Sequence, residues 1–303
     1  MKYNLITILG PTAAGKTRLA SLLAYKFNGE IISADSRQVY KRMDIGTGKD
    51  LNDYIVNGTT IPYHLIDIAE PDEEFNLFLF QEKFYDAFGK INSLGKTPFM
   101  AGGTGLFIAS IVNNYELVKI DSSDERIKQL DILDKEQLKE LLLKLKPEQH
   151  NKTDLEIKER IIRAILIAES KNNPLPKEKI KSLNIGVSFP REVIKQRIAA
   201  RLKERLKNGM IEEVEGLIKG GVTIEKLLFF GLEYKFIGLY LKGELTYNDM
   251  FQKLNSAINA FAKRQMTWYR KMEKEGTVIN WVEGGNFEIA SRIIASEYYE
   301  ENV

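Results

Sequence analysis

The sequence predicts an α/β fold in which a mainly parallel sheet is flanked by helices and interrupted by a small helical insertion. Short apolar, β-branched runs alternate with segments of helical periodicity over the first third of the chain. A glycine-rich loop joins the first of these runs to the first helix. Between Asn114 and Asn184 the alternation gives way to charged helical sequence, after which an apolar run resumes. With 303 residues, 44% of them hydrophobic and 28% charged, the chain can bury a full core in one large or two modest domains.

Tyr3 to Leu9 is the kind of apolar run expected of a buried parallel strand, and Lys16 to Phe27 repeats leucine and alanine at helical spacing. Glu30 to Ala34 reads as a second strand, Ile61 to Ile68 as a place for a third, and Thr97 to Ala101 as another. Helices are expected at about 75–94 and 104–113. The insertion carries helical stretches at 135–145 and 154–171, separated at Lys146-Pro147 and closed by the breaker run Asn172 to Pro176. Asn184 to Phe189 then returns the chain to the first sheet. Helices follow at 191–208, 228–241 and 247–273, then a last strand at Thr277 to Val282 and a terminal helix from about 286. These divisions predict a core of residues 1–113 and 185–303 and an insertion of 114–184.

Composition narrows the chemistry. With no cysteine there are no disulfides, thiolate zinc sites or cysteine nucleophiles, and the two histidines, His64 and His150, are too few for a histidine metal site. Any metal must be held by oxygen. No apolar run approaches the roughly 20 residues that span a bilayer, and the first strand leads straight into the glycine loop, so a cytoplasmic protein is expected. The net charge is only +2, yet Arg191 to Glu275 holds 17 lysines and arginines against 11 acidic residues. That excess suits a phosphate-backbone partner, and equally a set of amphipathic helices with solvated basic faces.

Gly10, Pro11, Thr12, Ala13, Ala14, Gly15, Lys16 and Thr17 fit the full G-x-x-x-x-G-K-[ST] pattern between a strand and a helix. Such a loop binds a polyphosphate, because its glycines admit close backbone approach and its amides and helix N-terminus face anionic oxygens. Lys16 adds positive charge, and Thr17 is placed to ligate magnesium. The fold is therefore expected to be P-loop NTPase-like. By itself the loop suggests ATP.

Asp35 follows the second strand at the edge where open α/β sheets bind ligands. There it can accept a proton or hydrogen bond from a nucleophile, or simply cap the next helix. Gln38 carries donor and acceptor groups that suit a base. Gly102-Gly103-Thr104-Gly105 ends another strand near the same edge, either as a site loop or as an ordinary tight turn.

Taken in order, GPTAAGKT, DSRQVY with MDIGTG, His64-Leu65-Ile66-Asp67, GGTGLF and Ala262 to Arg270 (AKRQMTWYR) resemble the tRNA dimethylallyltransferases over nearly the whole chain. Glu159 to Ala164 and Arg191 to Arg197 extend the likeness. The resemblance implies transfer of a dimethylallyl group from dimethylallyl diphosphate to the exocyclic amine of the adenosine 3′ to a tRNA anticodon. Pyrophosphate leaves. It implies that the P-loop holds the diphosphate with Lys16 and Arg191, that Mg2+ on Thr17 assists, and that Asp35 receives from the amine with Thr104 beside it. The reacting base would be flipped into a channel between core and insertion.

tRNA contacts are then expected from Asp35, Ser36, Arg37, Gln38 and Thr104 in the core. In the insertion, acting as a clamp, Arg126, Glu159, Arg160, Ile161, Ile162 and Arg163 are implicated, and near the C-terminus Lys263, Arg264, Gln265, Trp268 and Arg270. For the charged residues the plain alternative is surface ion pairing, and for Trp268 a core position. The chain is expected to work as a monomer, without a membrane. It departs from the family in a segment between Arg126 and Leu138 that is shorter by some tens of residues, in Phe230 to Lys235, and in Ala164 to Glu169. The competing readings are an isopentenyltransferase acting on free adenine nucleotides, a small-molecule kinase using ATP, and an RNA-binding nucleotide switch.

Overall fold

A computed structural model describes residues 2–118, 124–146, 157–170 and 178–300. The chain forms two compact units, residues 1–114 with 179–303, and residues 115–178. The breaker run Asn172 to Pro176, the residues after Lys146 and His150 lie outside the described residues, as do positions 154–156 of the expected insertion helix.

The larger unit begins with β1 (Leu5–Leu9), α1 (Lys16–Lys26) and β2 (Gly29–Ser33). A small hairpin, β3 (Ile55–Val56) and β4 (Thr59–Thr60), precedes β5 (Tyr63–His64), α2 (Leu77–Ser93), β6 (Thr97–Gly102) and α3 (Gly105–Val112). The smaller unit holds α4 (Asp124–Ile132), α5 (Lys135–Leu145) and α6 (Lys158–Glu169). The chain returns through β7 (Ser182–Ser188) and continues with α7 (Arg191–Lys207), α8 (Met210–Lys219), α9 (Ile224–Phe230), α10 (Leu232–Leu241), α11 (Tyr247–Lys274), β8 (Asn280–Glu283) and α12 (Phe287–Glu297).

Six strands form one sheet in the order β5-β2-β6-β1-β7-β8, every pair parallel. All five residues of β1 and of β2 are buried, which is why these strands read as continuous apolar runs. Helices α1 and α2 pack against the sheet, and α11 lies against α3, α7 and α10. In register, Leu9 of β1 faces Gly102 of β6 while Ser33 of β2 faces Ala101, so three strands end side by side. This shared edge receives the loops of all three glycine-bearing or acidic motifs. Crossing from β1 to β2 over β6 is the topological switch that opens a crevice there.

Where elements differ from expectation, the causes are local. The expected strand at 61–68 is only Tyr63–His64, because Leu65 takes φ 65° and Asp67 φ 55° and the chain leaves the sheet. Just before it, Asn57 and Gly58, with φ of 50° and 77°, make the tight turn of the β3–β4 hairpin. The single helix expected at 228–241 breaks at Gly231, whose φ of 138° no ordinary helix residue adopts. Helices α4 and α8 were not among the expected elements. The last strand starts at Asn280 rather than Thr277, and β7 at Ser182 rather than Asn184.

The smaller unit packs Leu130, Leu138, Leu142, Ile161, Ile162 and Ile165 into one apolar cluster. Helix α5 opens with a capping box in which Asp134 accepts from the backbone of Gln137 and Gln137 answers to the backbone of Asp134.

Candidate active site

A cleft of about 820 Å³ opens at the C-terminal edge of the β1, β2 and β6 strands, within the larger unit, and falls in the size range of small-ligand sites. Its floor is the P-loop. Gly15, at φ 80° and ψ 26°, caps α1 in a left-handed conformation that favours glycine. Lys16 Nζ donates to the Pro11 carbonyl at 2.7 Å. Burial pulls the Lys16 amine down to about 8, with nearby Asp35 opposing and Arg201 adding to the fall.

Asp35 lines the next wall. One carboxylate oxygen, Oδ1, accepts from the Arg37 amide at 3.0 Å; a turn and not a helix follows, so Asp35 anchors its own loop rather than capping a helix. Thr104 Oγ1 accepts from the Ser36 amide at 3.0 Å, and the Thr104 amide donates to the Ala34 carbonyl at 3.2 Å. The GGTG loop thus grips the Asp35 segment through its threonine. Its glycines are required by close neighbours: a Cβ would come within 2.3 Å of the Ala34 carbonyl oxygen at Gly102, 2.5 Å of Gln265 at Gly103 and 2.5 Å of Trp268 at Gly105.

Helix α11 locks these loops from behind. Its buried stripe runs Leu254, Ile258, Ala262, Gln265, Tyr269 and Met272, a helical period that carries Gln265 inward. The Gln265 amide accepts from the Thr12 amide and donates to the Gly103 carbonyl, both at 2.8 Å. Tyr269 donates to the Gly10 carbonyl at 3.2 Å, and burial pushes its phenol up, keeping it a neutral donor.

A third wall is the Met43 to Gly48 loop. Glu213 of α8 accepts from the amides of Asp44, Ile45 and Gly46 at 2.9, 2.7 and 3.0 Å and from the Tyr234 hydroxyl at 2.7 Å. Lys49, its side chain fully buried, bonds Asp44 at 2.9 Å together with Asp67 and the Tyr40 carbonyl. That ammonium explains why a DIGTGK stretch and an HLID stretch occur together: each supplies an aspartate to one buried cation. His64 plays another structural part, at 2.8 Å from Glu30, which also binds Lys96 at 2.7 Å. Burial pushes the Glu30 carboxyl up, but those two partners outweigh it and hold it below its ordinary value.

The fourth wall is cationic. Arg197, Arg201 and Arg205 lie at i, i+4 and i+8 on α7 and all line the cleft. Arg197 donates to the P-loop carbonyl of Ala13 at 2.6 Å and sits 4.8 Å from the centre of the Phe189 ring. Arg201 meets Asp50 at 2.9 Å, and Arg205 meets it at 3.3 Å. Glu233 faces this group: burial pushes its carboxyl up, opposed by Arg205, Arg201 and Arg37. Leu228, Phe230, Leu232, Ile258, Phe261 and Trp268 give the cleft an apolar side.

Several expected site residues stand elsewhere. Arg191 opens α7 as an exposed residue and does not line the cleft; six positions separate it from Arg197, which turns it about 120° round the helix. Gln265 does line the cleft, but it is 5% exposed and both ends of its amide are taken by backbone, so it holds loops in place. Ile161 and Ile162 are core residues of the smaller unit, carried inward by the buried face of α6. Arg126 is paired with Glu169, at 3.0 Å through Nε, and with Gln129 at 3.2 Å, tying α4 to α6. Arg37 and Gln38 do line the cleft and also brace its walls: Arg37 donates to the Phe229 carbonyl at 2.8 Å, and Gln38 donates to the Gly48 carbonyl at 3.1 Å and accepts from Ser33 at 3.3 Å.

The rest fall into three groups. Thr12, Ala13, Gly15, Lys16, Thr17, Asp35, Ser36, Thr104, Arg264 and Trp268 line the cleft, Trp268 being half-buried there rather than in the core. Gly10, Pro11 and Ala14 complete the loop behind it. Glu159, Arg160 and Arg163 are exposed on α6, and Lys263 and Arg270 are exposed on α11 without lining the cleft. Sequence reasoning missed Arg197, Arg201, Arg205, Glu213, Lys49 and Glu233. The arginines had a signal, since a basic residue every fourth position after a strand marks one helix face.

Among the described residues no cluster of three or more histidine, aspartate or glutamate side chains could cage a metal. The cleft nevertheless offers the Thr17 hydroxyl on the P-loop. Mg2+ keeps several waters and takes its remaining ligands from a carboxylate or hydroxyl and from substrate phosphates, and this donor set fits an ion of that kind. No helix among the described residues is long and apolar enough to cross a membrane.

A family model described as IPP transferase matches residues 38–272, and one described as isopentenyl transferase matches residues 3–64. A tRNA dimethylallyltransferase 1 from Geotalea uraniireducens is 51% identical over 94% of each chain. A tRNA dimethylallyltransferase 2 from Syntrophotalea carbinolica is 51% identical over 94% of this chain and 95% of its own. Of solved structures, the full-length tRNA isopentenylpyrophosphate transferase from Bacillus halodurans matches with a TM-score of 0.72 at 29% identity, covering 98% of this chain and 97% of that one. A eukaryotic dimethylallyltransferase acting on tRNA matches with a TM-score of 0.79 over 99% of this chain and 80% of its own, and at 22% identity that likeness concerns the fold.

Proposed function

Because the chain belongs to the tRNA dimethylallyltransferase family, we propose that it moves a dimethylallyl group from dimethylallyl diphosphate to the exocyclic amine of the adenosine 3′ to the anticodon. One observation carries the reading beyond the family: Lys16, Asp35 and Thr104 converge on a single cleft lined by arginines and by apolar side chains. The cations suit the diphosphate and the apolar side chains suit the prenyl tail, so the cleft has a surface for each half of the donor.

In this mechanism the diphosphate lies on the P-loop amides at the positive end of α1, with the Lys16 ammonium and the Arg197 guanidinium beside it. As the allylic carbon–oxygen bond breaks, negative charge grows on the leaving pyrophosphate, and these fixed donors stabilise it more than they stabilise the ground state. The amine nitrogen forms the new carbon–nitrogen bond. Asp35 keeps one oxygen on the Arg37 amide and offers the other to the amine, orienting its lone pair and receiving the proton released. Thr104, fixed by the Ser36 amide, borders the same base. Mg2+, held by Thr17 and the diphosphate, would add positive charge to the leaving group. Arg197 takes the role expected of Arg191.

The exposed cations Arg160 and Arg163 of the smaller unit serve as tRNA phosphate contacts, as do Lys263, Arg264 and Arg270. The reading includes a monomer that acts in the cytoplasm. The test supplies purified protein with tRNA, labelled dimethylallyl diphosphate and labelled ATP. Label from the prenyl donor should enter tRNA and not AMP, and Asp35→Ala should abolish transfer while tRNA binding persists. Phosphoryl transfer from ATP with no label in tRNA would overturn the reading.

A further inference from the structure

The junction of α9 and α10 runs Leu228-Phe229-Phe230-Gly231 along the mouth of the cleft. Leu228 and Phe230 line the cleft, and Phe230 is buried edge-on against Tyr40 with ring centres 5.1 Å apart. Phe229, between them, does not line the cleft and is 70% exposed, the most exposed aromatic residue among the described residues. Its backbone is nonetheless fixed. The Phe229 carbonyl accepts from Arg37 at 2.8 Å, and Gly231 lies so close to that guanidinium that a Cβ would come within 2.9 Å of it. Arg37 in turn gives its amide to Asp35. A bare phenyl ring is therefore braced, through one arginine, to the segment that carries the carboxylate of the site.

We propose that the Phe229 ring is a stacking platform for the nucleobase next in the RNA chain to the reacting adenosine; this rests on the tRNA reading above. When a base leaves its stack to enter a pocket, its chain neighbours lose a stacking face, and an exposed aromatic at the mouth replaces it. The surroundings suit a nucleotide chain. Arg264 lies at the cleft 5.8 Å from the Phe261 ring centre, Lys235 lines the cleft, and Lys263 is exposed, so cations for phosphate flank aromatic faces for bases.

The experiment uses the full-length protein and an anticodon stem-loop RNA. Phe229→Ala should raise the Kd and KM for the RNA roughly five- to a hundredfold while the KM for dimethylallyl diphosphate stays unchanged. Phe229→Leu, which keeps apolar bulk without a ring, should behave like alanine, and Phe229→Trp should restore binding. Two further RNAs carry an abasic nucleotide on either side of the reacting adenosine. One of them should bind the wild type as weakly as Phe229→Ala binds the intact RNA, and lose nothing more on the variant. Unchanged RNA binding by Phe229→Ala, additive losses with both abasic RNAs, or rescue by leucine would overturn the proposal. So would a dimer of the free protein that Phe229→Ala dissolves, since a second copy would then cover the ring. Failure of the wild type to prenylate any tRNA would instead sink the assigned reaction.

Discussion

Lys16 is the residue whose chemistry is most exposed to pH. In the free protein its amine is pulled down to about 8 by burial, whereas an unfolded lysine titrates near 10.4. Between those values the unfolded chain binds the extra proton, so this group's contribution makes folding stability rise with pH from about 8 to 10.4. Ligand binding runs the other way. A diphosphate on the loop favours the charged amine, so affinity is full below pH 8, and above it binding must take up a proton. Pyrophosphate affinity, followed by calorimetry from pH 7 to 9.5, should therefore fall by up to about tenfold per unit above 8. The same titration with Lys16→Met removes the effect of pyrophosphate's own ionisation, and identical slopes in the two proteins would refute the assignment. At this scale the P-loop, Asp35 and Thr104 were legible because their chemistry depends on backbone position at a strand end. Arg197 was not. A motif read as a string contains both Arg191 and Arg197, and only the turn of α7 decides which one reaches the loop.

Helix α11 is the element on which the site's geometry depends most. Its 28 residues bury one stripe, and two members of that stripe, Gln265 and Tyr269, are polar because they meet the carbonyls and amides of two loops of the cleft. Gln265 was readable as a member of that stripe, three residues after Ala262 and four before Tyr269, yet its company of exposed cations in KRQMTWYR suggested RNA. Periodicity was the better guide. Gln265→Met keeps shape, leaves the Thr12 amide without its partner and leaves the Gly103 carbonyl only the long 3.5 Å bond from the Tyr269 hydroxyl. A loss of about 2 kcal/mol or more in urea unfolding is expected, with weaker pyrophosphate binding because the loop is no longer pinned. Unchanged stability and binding would mean that α11 merely covers the loops. Other elements show what sequence could not carry. β5 ends where Leu65 and Asp67 turn aside to serve Lys49, and the break between α9 and α10 is set by Gly231 against Arg37, partners far apart in the chain.

At the level of the whole molecule, the two units are unequal in what holds them. The larger has an extended apolar core around a six-stranded sheet, while the smaller, 115–178, rests on one cluster of six buried side chains among its described residues. A segment of about 60 residues buries the smallest fraction of its surface and is marginal alone. The larger unit has no such dependence, because its chain ends at the insertion are already joined. The Asn114 side chain donates to the Ile180 carbonyl at 3.0 Å and accepts from the Ile180 amide at 2.8 Å, pairing both sides of the insertion's root. Replacing 115–178 with a short glycine-serine linker should therefore leave a folded protein that binds pyrophosphate with wild-type affinity, since every cleft residue lies outside that segment. Prenyl transfer to tRNA should fall far more than donor binding, because the exposed cations of α6 go with the segment. If transfer survives at wild-type KM for tRNA, the insertion is not a clamp, and RNA recognition resides wholly in the basic stretch from Arg191 to Glu275.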